Sequence, residues 1–138
     1  MSLYLCVFSK DGEDLDGVDV GHYSDFSAFR HAVLEHLESG VLGARFPTLM
    51  LHSDSDGEWT PADAVKLAAE LEAIKEAFVS LPPVVAASPW QKALMKQQGL
   101  VASNLHESFF DVDGEPLVDR LLALCRLSKD VGTSIVFQ

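Results

Sequence analysis

The chain has no apolar run approaching the roughly 20 residues that a membrane-spanning helix needs. Met1 to Phe8 carry neither a basic stretch nor a small-residue cleavage site. A membrane association and a secretory leader are therefore not expected, and the cytoplasm is the expected compartment. Cysteine is scarce, with two residues in all. Cys6 sits in an apolar run and Cys125 on an apolar helical stripe, where free thiols behave as small core hydrophobes rather than as a disulfide or a nucleophile. Positive charge is scarce as well: 10 Lys and Arg stand against 21 Asp and Glu, for a net charge of −11. Such a chain repels nucleic-acid phosphates and anionic membranes and steers a basic partner toward itself, although the same acids also serve ordinary solubility.

Catalytic signatures are missing too. There is no H-E-x-x-H or Cys-x-x-Cys spacing among the five histidines and two cysteines, no G-x-S-x-G elbow, no phosphate-cradling glycine loop and no dinucleotide fingerprint. No catalytic, cofactor-binding or metal-binding residue is assigned on these grounds. The expectation is a binding protein and not an enzyme, with a hydrolase whose residues are assembled only by the fold as the minor alternative.

What is present is enough apolar material for a core, 48% of 138 residues, with no Gly-, Ser- or Pro-rich linker to divide it. Residues 1–138 are expected to form one domain. Ser2 to Phe8 reads as a strand covered on both faces and Asp16 to His22 as a second strand, together an N-terminal hairpin. Ser24 offers an N-cap for a helix with Phe26, Phe29, Val33, Leu34 and Leu37 on one face, stopped by Gly40. Thr48 to Leu51 reads as a third, central strand. Thr60-Pro61 with Asp63 starts a second helix, whose Leu67, Leu71, Ile74 and Phe78 share a face before Pro82-Pro83. Ser88-Pro89-Trp90 starts a shorter helix closed by Gly99. Glu115-Pro116 opens the last, with Leu117, Leu121, Leu124 and Cys125 as its stripe and Gly132 past its end. Thr133 to Gln138 is β-branched and apolar and reads as a closing strand beside the first. The order predicts an α+β fold: a small mixed sheet packed with about four α-helices.

One short pattern occurs twice, as Asp54-Ser55-Asp56-Gly57-Glu58 and Asp111-Val112-Asp113-Gly114-Glu115, each before a predicted helix. Alternate carboxylates before a glycine resemble a calcium loop, but the first ligand position falls on His52 in one copy and Phe109 in the other. A turn followed by acids at a helix start accounts for the pattern more simply, and an acidic contact surface is the other possibility. His52 beside Asp54, with Ser53 adjacent, has the residue types of a general base and nucleophile, yet adjacency in sequence seldom builds such a pair. Six carboxylates and no Lys or Arg fall between Asp11 and Asp25, and five from Leu100 through Asp119. Trp59 next to Glu58 has the make-up of an apolar anchor ringed by charge. The competing expectation is that Trp59 and Trp90 fold back onto the core. Candidate partner-binding residues are thus Asp54, Asp56, Glu58, Trp59, Asp111, Asp113 and Glu115.

Four segments carry a family resemblance: Ser-Leu-Tyr-Leu-Cys-Val-Phe at the start, His-Ser-Asp-Ser-Asp-Gly-Glu-Trp-Thr-Pro, Ser-Pro-Trp, and Phe-Phe-Asp-Val-Asp-Gly-Glu-Pro-Leu. With these the chain, from Leu3 to Phe137, resembles the immunity protein 70 group of bacterial polymorphic toxin systems. The resemblance implies a small cytoplasmic protein that binds one cognate toxin domain, and occlusion of the toxin's active site is the expected mode of inhibition. It assigns no functional residues. Many such toxins are nucleases with basic grooves, for which an acidic inhibitor is suited by charge. An acidic interaction module with an unrelated partner is the alternative.

Overall fold

A computed structural model describes residues 2–53, 56–86 and 88–138. Strand β1 (Ser2–Phe8) pairs antiparallel with β2 (Asp14–His22) on one side and with β4 (Ile135–Phe137) on the other. β4 in turn pairs antiparallel with the two-residue strand β3 (Glu58–Trp59), giving the order β2-β1-β4-β3. The hairpin and the closing strand stand where the sequence predicted them. The sheet is antiparallel throughout rather than mixed, because no crossover returns a strand in the same direction.

The described residues form five α-helices, α1 (Tyr23–Leu37), α2 (Pro47–Met50), α3 (Pro61–Phe78), α4 (Pro89–Gln98) and α5 (Leu117–Val131), with a 3-10 turn at His106–Ser108; α1, α3 and α5 pack on the sheet, α2 packs on α3, and α4 stands beside the end of β2. The fold class is α+β, as expected. α3 begins as its sequence dictates: Thr60 Oγ1 accepts from the Asp63 amide at 3.1 Å and Asp63 Oδ2 accepts from the Thr60 amide at 3.1 Å, with Pro61 at the first helical position. Gly99 and Gly132 close α4 and α5 in the left-handed conformation.

Two local expectations are corrected. The predicted strand Thr48 to Leu51 is helix α2, because Pro47 sets its first φ and Glu70 on α3 accepts from the Thr48 and Leu49 amides at 3.1 and 3.0 Å, capping that turn from outside. The third strand of the sheet is instead Glu58–Trp59, at an edge. Helix α1 starts at Tyr23 and not after Ser24, since Asp25 Oδ2 accepts from the His22 amide at 2.8 Å and fixes the cap two residues earlier.

Leu3, Leu5 and Val7 of β1, Val18 and Val20 of β2, Ile135 and Phe137 of β4, and Trp59 join one core with Phe26 and Phe29 of α1, Leu67, Leu71, Ile74 and Phe78 of α3, and Leu121 and Leu124 of α5. Alternation along the strands turns Tyr4, Cys6 and Phe8 to the opposite face, which α4 meets only at its margin, in a hollow shared with Ser2, Asp19 and Gly21. The middle of β1 is packed by α1 and α5 on one side, not by helices on both as its continuous apolar run suggested. On the far side Cys6 is buried between half-buried Tyr4 and Phe8. Burial pushes the thiol of Cys6 up, and that of Cys125 up to about 12, so neither is a thiolate at neutral pH.

Candidate partner-binding surface

The two Asp-x-Asp-Gly-Glu segments lie at opposite edges of the sheet. The first leads into β3. The second is fastened to β2, where the Val112 amide donates to the Asp19 carbonyl at 3.1 Å. Asp54 lies outside the described residues. Asp56 and Glu58 are exposed, as are Asp113 and Glu115.

Trp59 and Asp111 are not on the surface. Trp59 is 1% exposed; its Nε1 donates to the Thr48 carbonyl at 3.0 Å, and its ring packs against Phe137 with centroids 4.8 Å apart and against His52 at 4.9 Å. Its bulk anchors β3 to the core, which corrects the reading of Trp59 as a partner's anchor. Asp111 is likewise 1% exposed. It accepts from the Asp113 and Glu115 amides, each at 3.0 Å, and its Oδ2 lies 3.3 Å from Arg120 Nε. Burial raises the Asp111 carboxyl above its ordinary range, against the opposing pull of the two amides and the Arg120 guanidinium. Arg120 also donates to Asp16 Oδ1 at 3.2 Å and to the Gly17 carbonyl at 2.8 Å, so one guanidinium ties α5, the 111–115 loop and β2 together. Asp111 organises its loop; Asp113 and Glu115 are what the loop presents.

His52 is a structural clip. Its Nδ1 faces the Ser53 carbonyl at 2.7 Å and its Nε2 the Glu58 carbonyl at 2.8 Å, and the ring stacks on Phe137 at 4.6 Å. Both nitrogens are thus occupied by backbone rather than turned toward a nucleophile. Among the described residues no group of three or more His, Cys, Asp or Glu is placed to hold a metal ion.

The sheet face turned away from α1, α3 and α5 gathers what the sequence left scattered. Residues paired across neighbouring strands share a face. Phe8 pairs with Asp14, Tyr4 with Asp19, Cys6 with Gly17 and Val136, and Val136 with Glu58. Tyr4, Phe8 and Val136 accordingly occupy the middle, Asp14 and Asp19 one margin and Glu58 the other. The Tyr4 hydroxyl lies 3.4 Å from Asp14 Oδ2 and covers Gly17, where a Cβ would meet that hydroxyl at 1.9 Å. With four strands at about 4.8 Å spacing, the acidic margins stand about 14 Å apart, within one interface of ordinary size. A half-buried aromatic and aliphatic middle with a charged rim is the anatomy of a protein-binding surface. The sequence marks Glu58 as a candidate and Asp14 and Asp19 only as members of the acidic run from Asp11 to Asp25; Tyr4 and Phe8 are hidden in a strand whose apolar run points to the core.

No curated protein and no solved structure matches the chain. Immunity protein 70 matches over residues 3–137, nearly the full length described above, and on that match the chain belongs to the immunity protein 70 family.

Proposed function

We propose that this immunity protein neutralises a cognate toxin domain without catalysis, in the cytoplasm of a bacterium that carries the toxin, by seating the sheet face turned away from α1, α3 and α5 over the toxin's active site. The observation that supports this reading is the arrangement on that face: Tyr4, Phe8 and Val136 in the middle, with Asp14 and Asp19 on one side and Glu58 on the other. Asp56 beside Glu58, and Asp113 and Glu115 beside β2, extend the acidic rim at both edges. The charge pattern suits a toxin whose groove is basic, such as a nuclease, because complementary potentials speed encounter and compete with a phosphate substrate.

The test is affinity for the toxin domain at low and high salt. Asp14→Lys with Glu58→Lys, on opposite margins of the one face, is expected to weaken binding roughly tenfold at low salt and much less at high salt. Glu72→Lys with Glu76→Lys, two exposed acids on α3, makes the same change in overall charge without touching that face and is expected to leave affinity nearly unchanged. Equal losses in the two variants would show that net charge alone matters, and no loss in either would remove the face from the interface.

A further inference from the structure

Away from the sheet, along the outer side of α4, two chain segments leave valines in water. Val85 is 88% exposed and Val101 83%, with Val84 at 46%. They do not stand singly. The segment 100–102 forms a ridge between two hollows that share Met95, Leu100, Val101 and Ala102 as a common wall. One hollow, of about 460 Å³, is completed by Pro83, Val84, Val85, Ala86 and Lys92. The other, of about 260 Å³, is completed by Glu107, Phe110, Gly114 and Pro116. The ridge thus has a cation on one flank and an anion on the other, with Lys96 one helical turn beyond Lys92 and also exposed.

A basic toxin groove is a poor match for this patch, because Lys92 and Lys96 would meet like charge. A patch with an apolar ridge, a hollow beside it and opposite charges on its two flanks is complementary to itself after a two-fold rotation. Turned about a two-fold axis that runs along the ridge, two copies meet Val101 to Val101 at the centre, and the flank that carries Lys92 in each faces the flank that carries Glu107 in its mate. Apolar contact at the centre and paired charge at the margin are the usual division of labour in such an interface.

We infer that the chain self-associates through this patch as a symmetric dimer, with Val101 at its centre. The patch borders the proposed toxin-binding rim at the 113–116 loop, but its centre at Val101 lies off the sheet face that carries Tyr4, Asp14 and Glu58. Sedimentation velocity of the full chain from micromolar to near-millimolar concentration tests it, with Val101→Asp and Lys92→Glu as variants. Both sites are exposed, so circular dichroism is expected to report an unchanged fold. The wild type is expected to pass from its 15.0 kDa monomer to twice that mass, Val101→Asp to stay monomeric throughout, and Lys92→Glu to need at least severalfold higher concentration. A wild type that is monomeric at every concentration overturns the inference, as does either variant associating like the wild type. A wild type that stays monomeric while Val101→Asp folds but loses toxin binding gives the patch to the toxin instead. Loss of toxin binding in the sheet-face variants alone bears on the proposed function and leaves the dimer untouched.

Discussion

Carboxylates in this chain differ in what reaches them, and their pH behaviour differs accordingly. Glu38 is buried and accepts from the amides of Gly43, Arg45 and Phe46 at 2.9 to 3.1 Å, holding the loop after α1. Asp119 on α5 lies 2.6 Å from Lys75 Nζ on α3 and 3.4 Å from His106 Nε2. Burial pushes the Asp119 carboxyl up, but Lys75 and His106 together outweigh it, and its pKa falls below the ordinary value. A lowered folded pKa gives stability that is present above the unfolded pKa and lost as pH falls through the folded one. Asp119→Asn is therefore expected to lower stability at neutral pH by about 0.5 kcal/mol, small because both partners are some 40% exposed and screened by water. The difference between the thermal melts of the two proteins is expected to shrink as the pH falls below about 4 and to close only once it is below the lowered folded pKa. A difference that persists undiminished in acid would mean that the pair is not its source. Asp111 works with the opposite sign: its raised pKa makes its contribution largest in acid and smaller as pH rises through that pKa.

Among the elements, α4 is the most loosely held. Gln91 is the one residue of its ten that is buried. The helix is pinned at its start, where Trp90 Nε1 donates to Asp25 Oδ2 at 2.9 Å, the Ser88 hydroxyl donates to Asp25 Oδ1, and the Trp90 ring meets Phe110 edge-on at 6.0 Å. Gly21 makes room for the indole: at φ +93°, a Cβ there would stand 2.5 Å from Trp90 Cζ2. Trp90→Ala is expected to speed amide exchange across residues 89–98 at least tenfold while the core helices keep their protection. Unchanged exchange in α4 would show that the pin lies elsewhere. How much of this was legible follows from the range of the contacts involved. The starts and stops of α3, α4 and α5 were readable because Thr60, Pro61, Asp63, Pro89, Gly99 and Gly132 act within a turn of themselves. The turn at Pro47–Met50 was misread because its cap comes from Glu70, more than twenty residues away. Burial of Asp111 depends on Arg120 and that of Trp59 on Phe137, and neither partner is implied by the local pattern. The acidic rim was visible as composition, but which acids share a face required the strand register.

At the scale of the molecule, α1, α3 and α5 pack on one side of a four-stranded sheet, while the other side meets α4 at its Asp19 margin and leaves Tyr4, Phe8 and Val136 half-buried. This one-sidedness separates two tasks: core residues alternate with outward Tyr4, Phe8, Asp14 and Glu58, so the outer set is free to vary with a partner at little cost to the fold. The outer edge of β2 is not left open. Val112 donates to the Asp19 carbonyl and Arg120 to the Gly17 carbonyl, which takes up groups that would otherwise invite another strand. β4 carries a different burden. Its three residues lie between β1 and β3, with Leu5 opposite Phe137 and Val7 opposite Ile135, partners about 130 positions apart in the chain. The hairpin forms from near neighbours, whereas β4 must be captured across almost the whole polymer, so during refolding the apolar edge of β1 waits uncovered. Recovery from denaturant is accordingly expected to fall as protein concentration rises, and a synthetic peptide spanning residues 133–138 to slow it further by occupying β1 ahead of the chain's own strand. For a protein that must be in place before its toxin acts, the interval before that strand arrives sets how soon after synthesis protection begins.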